Sequence, residues 1–434
     1  MVSPATELIP ASSTTVHVEE SATVREVLTS DSRVVVAGNS LAGISAVRAL
    51  RSEGFAGSIV MIGGDPDARY DRPPLSKEFL VGAVEARDIR LWDEAELSTL
   101  GVQLLPDNAA ALNDEERRVF LDSGDSLEFD FLFICTGARP RLIGDLHQDS
   151  LPARVHVLRS ASHALSLGSQ MTRPGHRLLI VGAGFLGSEV ASSARRNGST
   201  VTMVESGPHP MCRVVGNQVG EWLGRLQESA GIDLRTSTQV ATLNTVGDRI
   251  NVTLTSGEEL VADSVALCIG AIPEVDWLRG SSLQVDDGVR CDSTLFASPA
   301  IVAAGDVASW WSDQRSAYVR LEHWTSAVEQ ARLAASNLMV PRNQATPFQT
   351  LGYFWSDQFG RRIERVGICG ADVESEPIWG RMTDDSFVVG LFENGALCAA
   401  VGVNAGPQML KIRRALRRGD RWPDAARVLV DQAV

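Results

Sequence analysis

The sequence predicts an α/β protein with two doubly wound βαβ units and a smaller α+β domain after them. Three observations lead there. A β-branched run that stops at glycine and then passes into helical spacing occurs at Arg33–Ala37 and again at Arg177–Val181. Further apolar runs, Phe131–Cys135, Val265–Ile269 and Ile301–Ala304, also stop at or next to a glycine. After about Pro341 the pattern changes to aromatic, strand-like alternation.

Taken in order, residues 1–30 are rich in Ser, Thr and Glu and read as a polar, poorly ordered tail. Arg33–Ala37 is the first strand, ending at Gly38. Leu41 begins a helix, and Ser58–Ile62 is the next strand, closed by Gly63-Gly64. The strand Phe131–Cys135 meets Thr136-Gly137 and runs into a loop with Pro140, so residues 31–145 form the first unit. Residues 146–271 form the second: Arg177–Val181 ends at Gly182, Leu186–Asn197 is helical, Thr200–Val204 is a strand, and Val265–Ile269 meets Gly270. Residues 272–342, with Ile301–Ala304 meeting Gly305-Asp306, return to the first unit. Residues 343–434 make the α+β domain, strand-like from Tyr353 to Val366 and again over Ser386–Phe392.

Composition narrows the function. The chain has 434 residues, too many for one ordinary core. Its formal net charge of −14 argues against non-specific nucleic-acid binding, which needs excess positive charge to displace counterions. The six cysteines, Cys135, Cys212, Cys268, Cys291, Cys369 and Cys398, contain no CxxC pair. That removes zinc ribbons and thioredoxin-like redox pairs, and no metal site is expected. Scattered thiols suit a reducing compartment. The opening residues carry no early basic residue and no sustained apolar core, and no stretch reaches the roughly 20 apolar residues of a membrane helix. A cytoplasmic protein without a membrane anchor is expected.

The glycine loops carry the chemistry. Gly182-Ala183-Gly184-Phe185-Leu186-Gly187 is a complete GxGxxG between a strand and a helix. Gly182 permits the tight turn, Gly184 lets backbone approach a pyrophosphate, and Gly187 allows close helix–strand packing. The helix N-terminus offers amide donors to phosphate. Glu205 ends the following strand, where a carboxylate accepts from ribose hydroxyls and repels a 2′-phosphate, so NADH is expected over NADPH. Arg213, a few residues on, belongs to the same region. The first loop, Gly38-Asn39-Ser40-Leu41-Ala42-Gly43, has Ser40 at the middle position, and Asp65 is its candidate ribose acceptor.

The next residues, Tyr70-Asp71-Arg72-Pro73-Pro74-Leu75-Ser76-Lys77, resemble a segment of the FAD-dependent ferredoxin and rubredoxin reductases. These belong to the two-dinucleotide flavoprotein class that includes glutathione reductase-like enzymes. Similar segments follow in order. They are Cys135–Pro140, the second glycine loop with Glu189, Ala303-Ala304-Gly305-Asp306, Arg320–Trp324 and Tyr353–Gln358. The likeness spans residues 31 to 410 and is nearest to reductases of bacterial oxygenase systems, among which a Gly-x-Ser-Leu-Ala-Gly first loop also occurs.

That resemblance implies roles. Gly38, Ser40, Leu41, Ala42 and Gly43 would line the FAD pyrophosphate and Asp65 its ribose. Arg72 and Lys77 would contact the flavin half, with Lys77 near the ring. Ala109 would meet the adenine through its backbone. Thr136, Gly137 and Arg139 would return to the FAD, Asp306 would bind the ribityl chain, and Trp324 would sit against the ring. Glu189 would lie near the nicotinamide and pair with Lys77; these two are the expected catalytic residues. Gly182, Gly184, Phe185, Leu186, Gly187, Glu205, Arg213 and Gly270 would hold NAD(H). Read without that family, Trp324 is a core aromatic, Glu189 an exposed helix carboxylate and Lys77 a surface lysine. Two departures stand out: Cys135 where alanine is common, and Glu274 where an amide is frequent.

The implied reaction is hydride transfer from NADH to FAD, then single electrons to a small 2Fe-2S ferredoxin serving an oxygenase. No cysteine precedes Cys135, so the thiol relay of disulfide reductases has no residues to run on. A rubredoxin reductase, an NADH oxidase on the same scaffold and an apoptosis-inducing-factor-like flavoprotein are the alternatives. Lys411, Arg413, Arg414, Arg417, Arg418 and Arg421 form either a docking face for an acidic ferredoxin or a solvated helix face. Monomer and homodimer are both open.

Overall fold

The computed structural model describes residues 27–64, 69–147, 150–370 and 373–418. Most of the expected polar tail, Asp65 and Arg421 lie outside the described residues. Helices here are α1 (Leu41–Ser52), α2 (Glu94–Thr99), α3 (Ala161–Met171), α4 (Phe185–Arg196), α5 (Cys212–Val215), α6 (Asn217–Ser229), α7 (Trp324–Leu338) and α8 (Gly406–Arg418).

The first glycine-terminated strand lies in a six-stranded sheet. Its order is Phe296–Ser298, Ile301–Ala303, Phe131–Ile134, Arg33–Ala37, Ser58–Ile62 and Val102–Leu105. Arg33–Ala37 pairs in parallel with Ser58–Ile62 on one side and with Phe131–Ile134 on the other. Ile301–Ala303 adds in parallel beyond Phe131–Ile134, so the chain returns to this sheet after building another. Val34, Val35 and Val36 are fully buried, as a strand covered on both faces requires. Each such side chain contributes roughly 1.5–3 kcal/mol by leaving water.

The second sheet is parallel throughout, in the order Ile232–Arg235, Thr200–Val204, Arg177–Val181, Ser264–Leu267 and Val155–Val157. Both units carry the same insertion, a three-stranded antiparallel ribbon before the strand that returns beside the first. The ribbons are Ala109–Asn113, Arg118–Leu121 and Ser126–Glu128 in one, and Val240–Val246, Arg249–Leu254 and Glu259–Ala262 in the other. Ile250, Val252 and Leu254 of the second ribbon share a core with Leu179, Val181 and Val265. The duplication visible in the glycine motifs thus extends to the whole unit.

The C-terminal sheet has five antiparallel strands, ordered Phe354–Gln358, Arg361–Gly367, Ala396–Val403, Phe387–Glu393 and Glu374–Gly380. Period-two alternation splits its residues between two cores. Val366, Val388 and Ala400 pack with Met409 and Ile412 of α8. Ile363, Val389, Leu391 and Val401 pack with Val215, Val219 and Leu223 at α5 and α6. The strand-like stretch from Tyr353 to Val366 is two strands joined at Phe359-Gly360, with φ of 49° and 71°. Two successive left-handed residues make the tight hairpin turn, and the aromatic Phe359 hides it in the sequence.

Among the described residues no helix is long and apolar enough to cross a membrane.

Candidate active site

The two glycine loops have the same backbone geometry. Gly38 has φ +120°, and a Cβ there would strike the carbonyl oxygen of Cys135. Gly182 has φ +101°, and a Cβ would strike the carbonyl oxygen of Cys268. Both glycines let a strand turn tightly beside a neighbouring strand. Gly184 differs, because its φ is an ordinary −74° and a Cβ would meet nothing within 4 Å. Glycine at 184 therefore keeps space open in front of the loop, and that space suits a pyrophosphate. Ser40, its counterpart, has an equally ordinary extended backbone, φ −90° and ψ −161°, so serine fits without strain.

Helix N-termini divide into capped and uncapped ones, α5 and α6 being uncapped as well. α2 is capped by Asp93, which accepts from the Glu96 amide, and α3 by Ser160, which accepts from the His163 amide. α1, α4 and α7 have no side-chain cap and no acidic residue in their first turns. Their first residues, Leu41 and Ala42, Phe185 and Leu186, and Trp324, border one cavity. Unpaired amides and the positive ends of three helix dipoles thus point at a common space, an arrangement suited to anionic groups.

That cavity is about 420 Å³. Ser40 and Thr136-Gly137 line it from the first unit, Gly305-Asp306 from the returning strand, Arg72 and Lys77 from the loop after the second strand, and Trp355 from the C-terminal sheet. Lys77 Nζ lies 2.6 Å from Glu189 Oε2, and both side chains are nearly buried. Glu189 also accepts from Ser76 Oγ at 2.5 Å and from Ser356 Oγ at 2.6 Å. Trp324 is 38% exposed at the mouth, and its indole donates to Asp71 Oδ1 at 2.8 Å. Burial raises the Asp71 carboxyl above its usual range, with the Trp324 hydrogen bond opposing. Arg159 lies 3.5 Å from Asp306 Oδ2. His323 is pushed down to about 3 by burial and by nearby Arg365, and its Nδ1 is buried with no partner.

The remaining candidates divide clearly. Glu205 is buried at the second loop. Its Oε2 accepts from the Ala183 amide and its Oε1 from the Gly207 amide, each at 2.8 Å. Gly270 has φ +98° with open space beside it, and Arg213 is exposed. Gly38, Gly43, Gly182 and Gly187 shape the loops rather than the cavity wall. Ala109 starts a ribbon strand outside the cavity, next to Asn108, whose side chain packs against Gly64. Arg139 does not line the cavity. Its guanidinium is held by Glu274 Oε2 and Asp276 Oδ2, both at 2.8 Å, which also gives Glu274 a place in the structure. Thr136 donates to the Glu274 carbonyl oxygen at 2.8 Å. Cys135 is buried on the cavity wall, and desolvation pushes its thiol up to about 12.

Sequence reasoning overlooked Ser76, Arg159, His323, Ser356 and Arg365. Ser76, His323 and Ser356 sit inside quoted motifs, but nothing local to each motif signals which side chain turns inward. Among the described residues no cluster could hold a metal ion.

The residues present fit two dinucleotides: two loops kept open by glycine or serine, uncapped helices facing one space, and a carboxylate at the end of the second strand of the NAD-type unit. Residues 32–331 match the pyridine nucleotide-disulphide oxidoreductase family, and residues 353–434 match the reductase C-terminal family. Rhodocoxin reductase of Rhodococcus erythropolis is 32% identical over 391 residues, 88% of this chain and 89% of the relative. The anthranilate 1,2-dioxygenase system ferredoxin–NAD(+) reductase component of Burkholderia cepacia is 31% identical, covering 89% of this chain and 94% of the relative. The crystal structure of the ferredoxin reductase for the CYP199A2 system from Rhodopseudomonas palustris superposes with a TM-score of 0.85 at 28% identity, covering 90% and 96% of the two chains.

Proposed function

The chain belongs to the pyridine nucleotide-disulphide oxidoreductase family, and on that premise we propose that it is an FAD-dependent NADH:ferredoxin reductase of an oxygenase system. The observation that carries this reading is the cavity itself. Two nucleotide-type loops and the Lys77–Glu189 pair converge on it, and its one cysteine, Cys135, has a thiol held protonated by burial. Disulfide exchange needs a thiolate, so electrons leave by another route. The relatives named for ferredoxin–NAD(+) reductase activity support a small 2Fe-2S ferredoxin as the acceptor.

Bound FAD would supply the chemistry of accepting a hydride from NADH and releasing electrons singly. The protein's own residues bind, orient and exclude water. The loops at Gly38–Gly43 and Gly182–Gly187, with residues 31–145 and 272–342 on the FAD side and 146–271 on the NAD side, hold the two dinucleotides. Lys77 places a positive charge in the cavity where negative charge develops on hydride arrival. Glu189 fixes that ammonium, and Phe185 packs edge-on to Phe354 at 4.5 Å beside it. Glu205 selects NADH, since a 2′-phosphate would meet a buried carboxylate.

Outward transfer belongs to the cavity mouth. Trp324 lies 6.4 Å from Trp355 between ring centroids, Arg362 stacks over Trp355, and Arg413 of α8 over Tyr353. With Lys411, Arg414, Arg417 and Arg418 nearby on α8, this aromatic and basic rim suits an acidic partner. Free thiols at all six cysteines go with a reducing, cytoplasmic setting.

The test is a single turnover without oxygen. The purified protein is reduced with one equivalent of NADH and mixed with oxidised 2Fe-2S ferredoxin. Two ferredoxins reduced per protein support the reading. A bleached protein that stays reduced beside ferredoxin and is reoxidised only by oxygen would contradict it in favour of an oxidase.

A further inference from the structure

Glu189 is held by more than its lysine. Oε2 faces Lys77 Nζ at 2.6 Å and Ser76 Oγ at 2.5 Å, while among the described residues Oε1 takes only the hydroxyl of Ser356, at 2.6 Å. Ser76 and Lys77 come from the loop after the second strand, whereas Ser356 comes from the first strand of the C-terminal sheet. Ser356 is fully buried, and its oxygen in turn accepts from Gln358 Nε2 at 3.1 Å. The hydroxyl proton is therefore committed to Glu189. The strand is fixed to α4 on both sides of Ser356, by the Phe354–Phe185 ring contact at 4.5 Å and by the Phe359 amide, which donates to Ser192 Oγ at 2.8 Å.

We infer that Ser356, backed by Gln358, is a positioning residue of the C-terminal domain that sets where the Lys77 charge sits in the cavity. The inference rests on the proposed reading that the cavity holds FAD. A buried carboxylate oxygen with its only donor removed seeks another. Without the Ser356 hydroxyl, Lys77, already 2.6 Å from Oε2 of the same carboxylate, is the cation at hand to serve Oε1. The ammonium is then drawn across the face of the carboxylate and away from the cavity, so reduced cofactor loses part of its electrostatic support. Ser76 cannot replace Ser356, because its hydroxyl has a single proton, already given to Oε2, whereas the ammonium has three. NADH contacts made through the second glycine loop are untouched.

The test compares wild type, Ser356→Ala, Ser356→Thr and Gln358→Leu as FAD-loaded full-length proteins. The flavin midpoint potential is read by equilibration with a reference dye, and flavin bleaching and NADH affinity are read separately by rapid mixing. In Ser356→Ala the reduction equilibrium shifts about tenfold toward oxidised flavin, about 30 mV for a two-electron couple. Bleaching slows by a similar factor, and the NADH dissociation constant changes by less than about threefold. Ser356→Thr, which keeps the hydroxyl, restores the wild-type potential. Gln358→Leu shifts it in the same direction by less, and gives the reading should Ser356→Ala fail to fold. A wild-type potential in both Ser356→Ala and Gln358→Leu, with wild-type protein bleached normally by NADH, overturns this inference and leaves the proposed function standing. Wild-type protein that NADH fails to bleach overturns both.

Discussion

Glycine at 184 and glycine at 38 serve different purposes, and substitution separates them. Gly38→Ala forces a Cβ against the Cys135 carbonyl at φ +120°, so the fold and FAD content should both suffer. Gly184→Ala meets nothing within 4 Å and should leave the melting temperature unchanged. It should nonetheless raise KM for NADH roughly tenfold, about 1.4 kcal/mol, because on the proposed reading its methyl group would occupy the approach of the pyrophosphate. Steady-state kinetics beside a thermal melt decide this, and an unchanged KM would place the coenzyme elsewhere. At Lys77 the expectation is non-additive. Lys77→Met leaves Glu189 as a nearly buried charge without its cation, destabilising by about 3–5 kcal/mol, and slows flavin bleaching by about 10²-fold. Lys77→Met with Glu189→Leu should recover most of the stability and none of the rate. Denaturant titration with rapid-mixing kinetics reads both. The sequence shows Lys77 and Glu189 only through motifs already associated with a family. Ser356 is 167 residues from Glu189, and no local periodicity connects them.

An open helix end counts for function where it faces a cavity. α2 and α3 are capped, whereas α1, α4 and α7 reach the cavity uncapped. Placing a cap where a ligand belongs should therefore have opposite effects on fold and binding. In Ser40→Asp a carboxylate at the α1 N-cap stabilises the apoprotein by up to about 1 kcal/mol. On the proposed reading the same charge would face the FAD pyrophosphate, and FAD affinity should fall by tenfold or more. Apoprotein melting and flavin fluorescence titration measure the two effects, and unchanged FAD affinity would exclude this helix from phosphate binding. The strands that stop at glycine are legible in the sequence because β-branched runs and turn glycines are local signals. The hairpin at Phe359-Gly360 is hidden because its first turn residue is a large aromatic at φ 49°. The three-stranded ribbons are equally hard to read, since half-exposed strands such as Val240–Val246 alternate weakly.

On the scale of the molecule, two parallel-sheet units and the C-terminal sheet meet around one cavity, and buried histidines make that assembly sensitive to acid. Burial holds His156 at about 4 and His323 at about 3, and lowers His176 as well. Below about pH 6.5 the unfolded chain binds protons that the folded chain refuses, so stability falls as pH falls, by up to about 1.4 kcal/mol per pH unit for each histidine. Asp263, held at about 2 chiefly by its hydrogen bond to Arg177, extends the loss below about pH 4. Melting temperatures between pH 7.5 and 5 should drop, and His156→Gln should flatten the slope. An equal slope in that variant would remove His156 from the explanation. Charge and cysteine content, read from the sequence, already argue against nucleic-acid and disulfide chemistry. Which element closes the cavity was not legible there, because it depends on how the C-terminal sheet packs on α4, α5 and α6. The most direct test of the electron route is anaerobic NADH-driven cytochrome c reduction, with and without added 2Fe-2S ferredoxin. The expected result is a rate that rises steeply with ferredoxin, exceeds the NADPH rate and falls with added salt. A rate indifferent to ferredoxin, with the flavin still bleached by NADH, would contradict the ferredoxin reductase account.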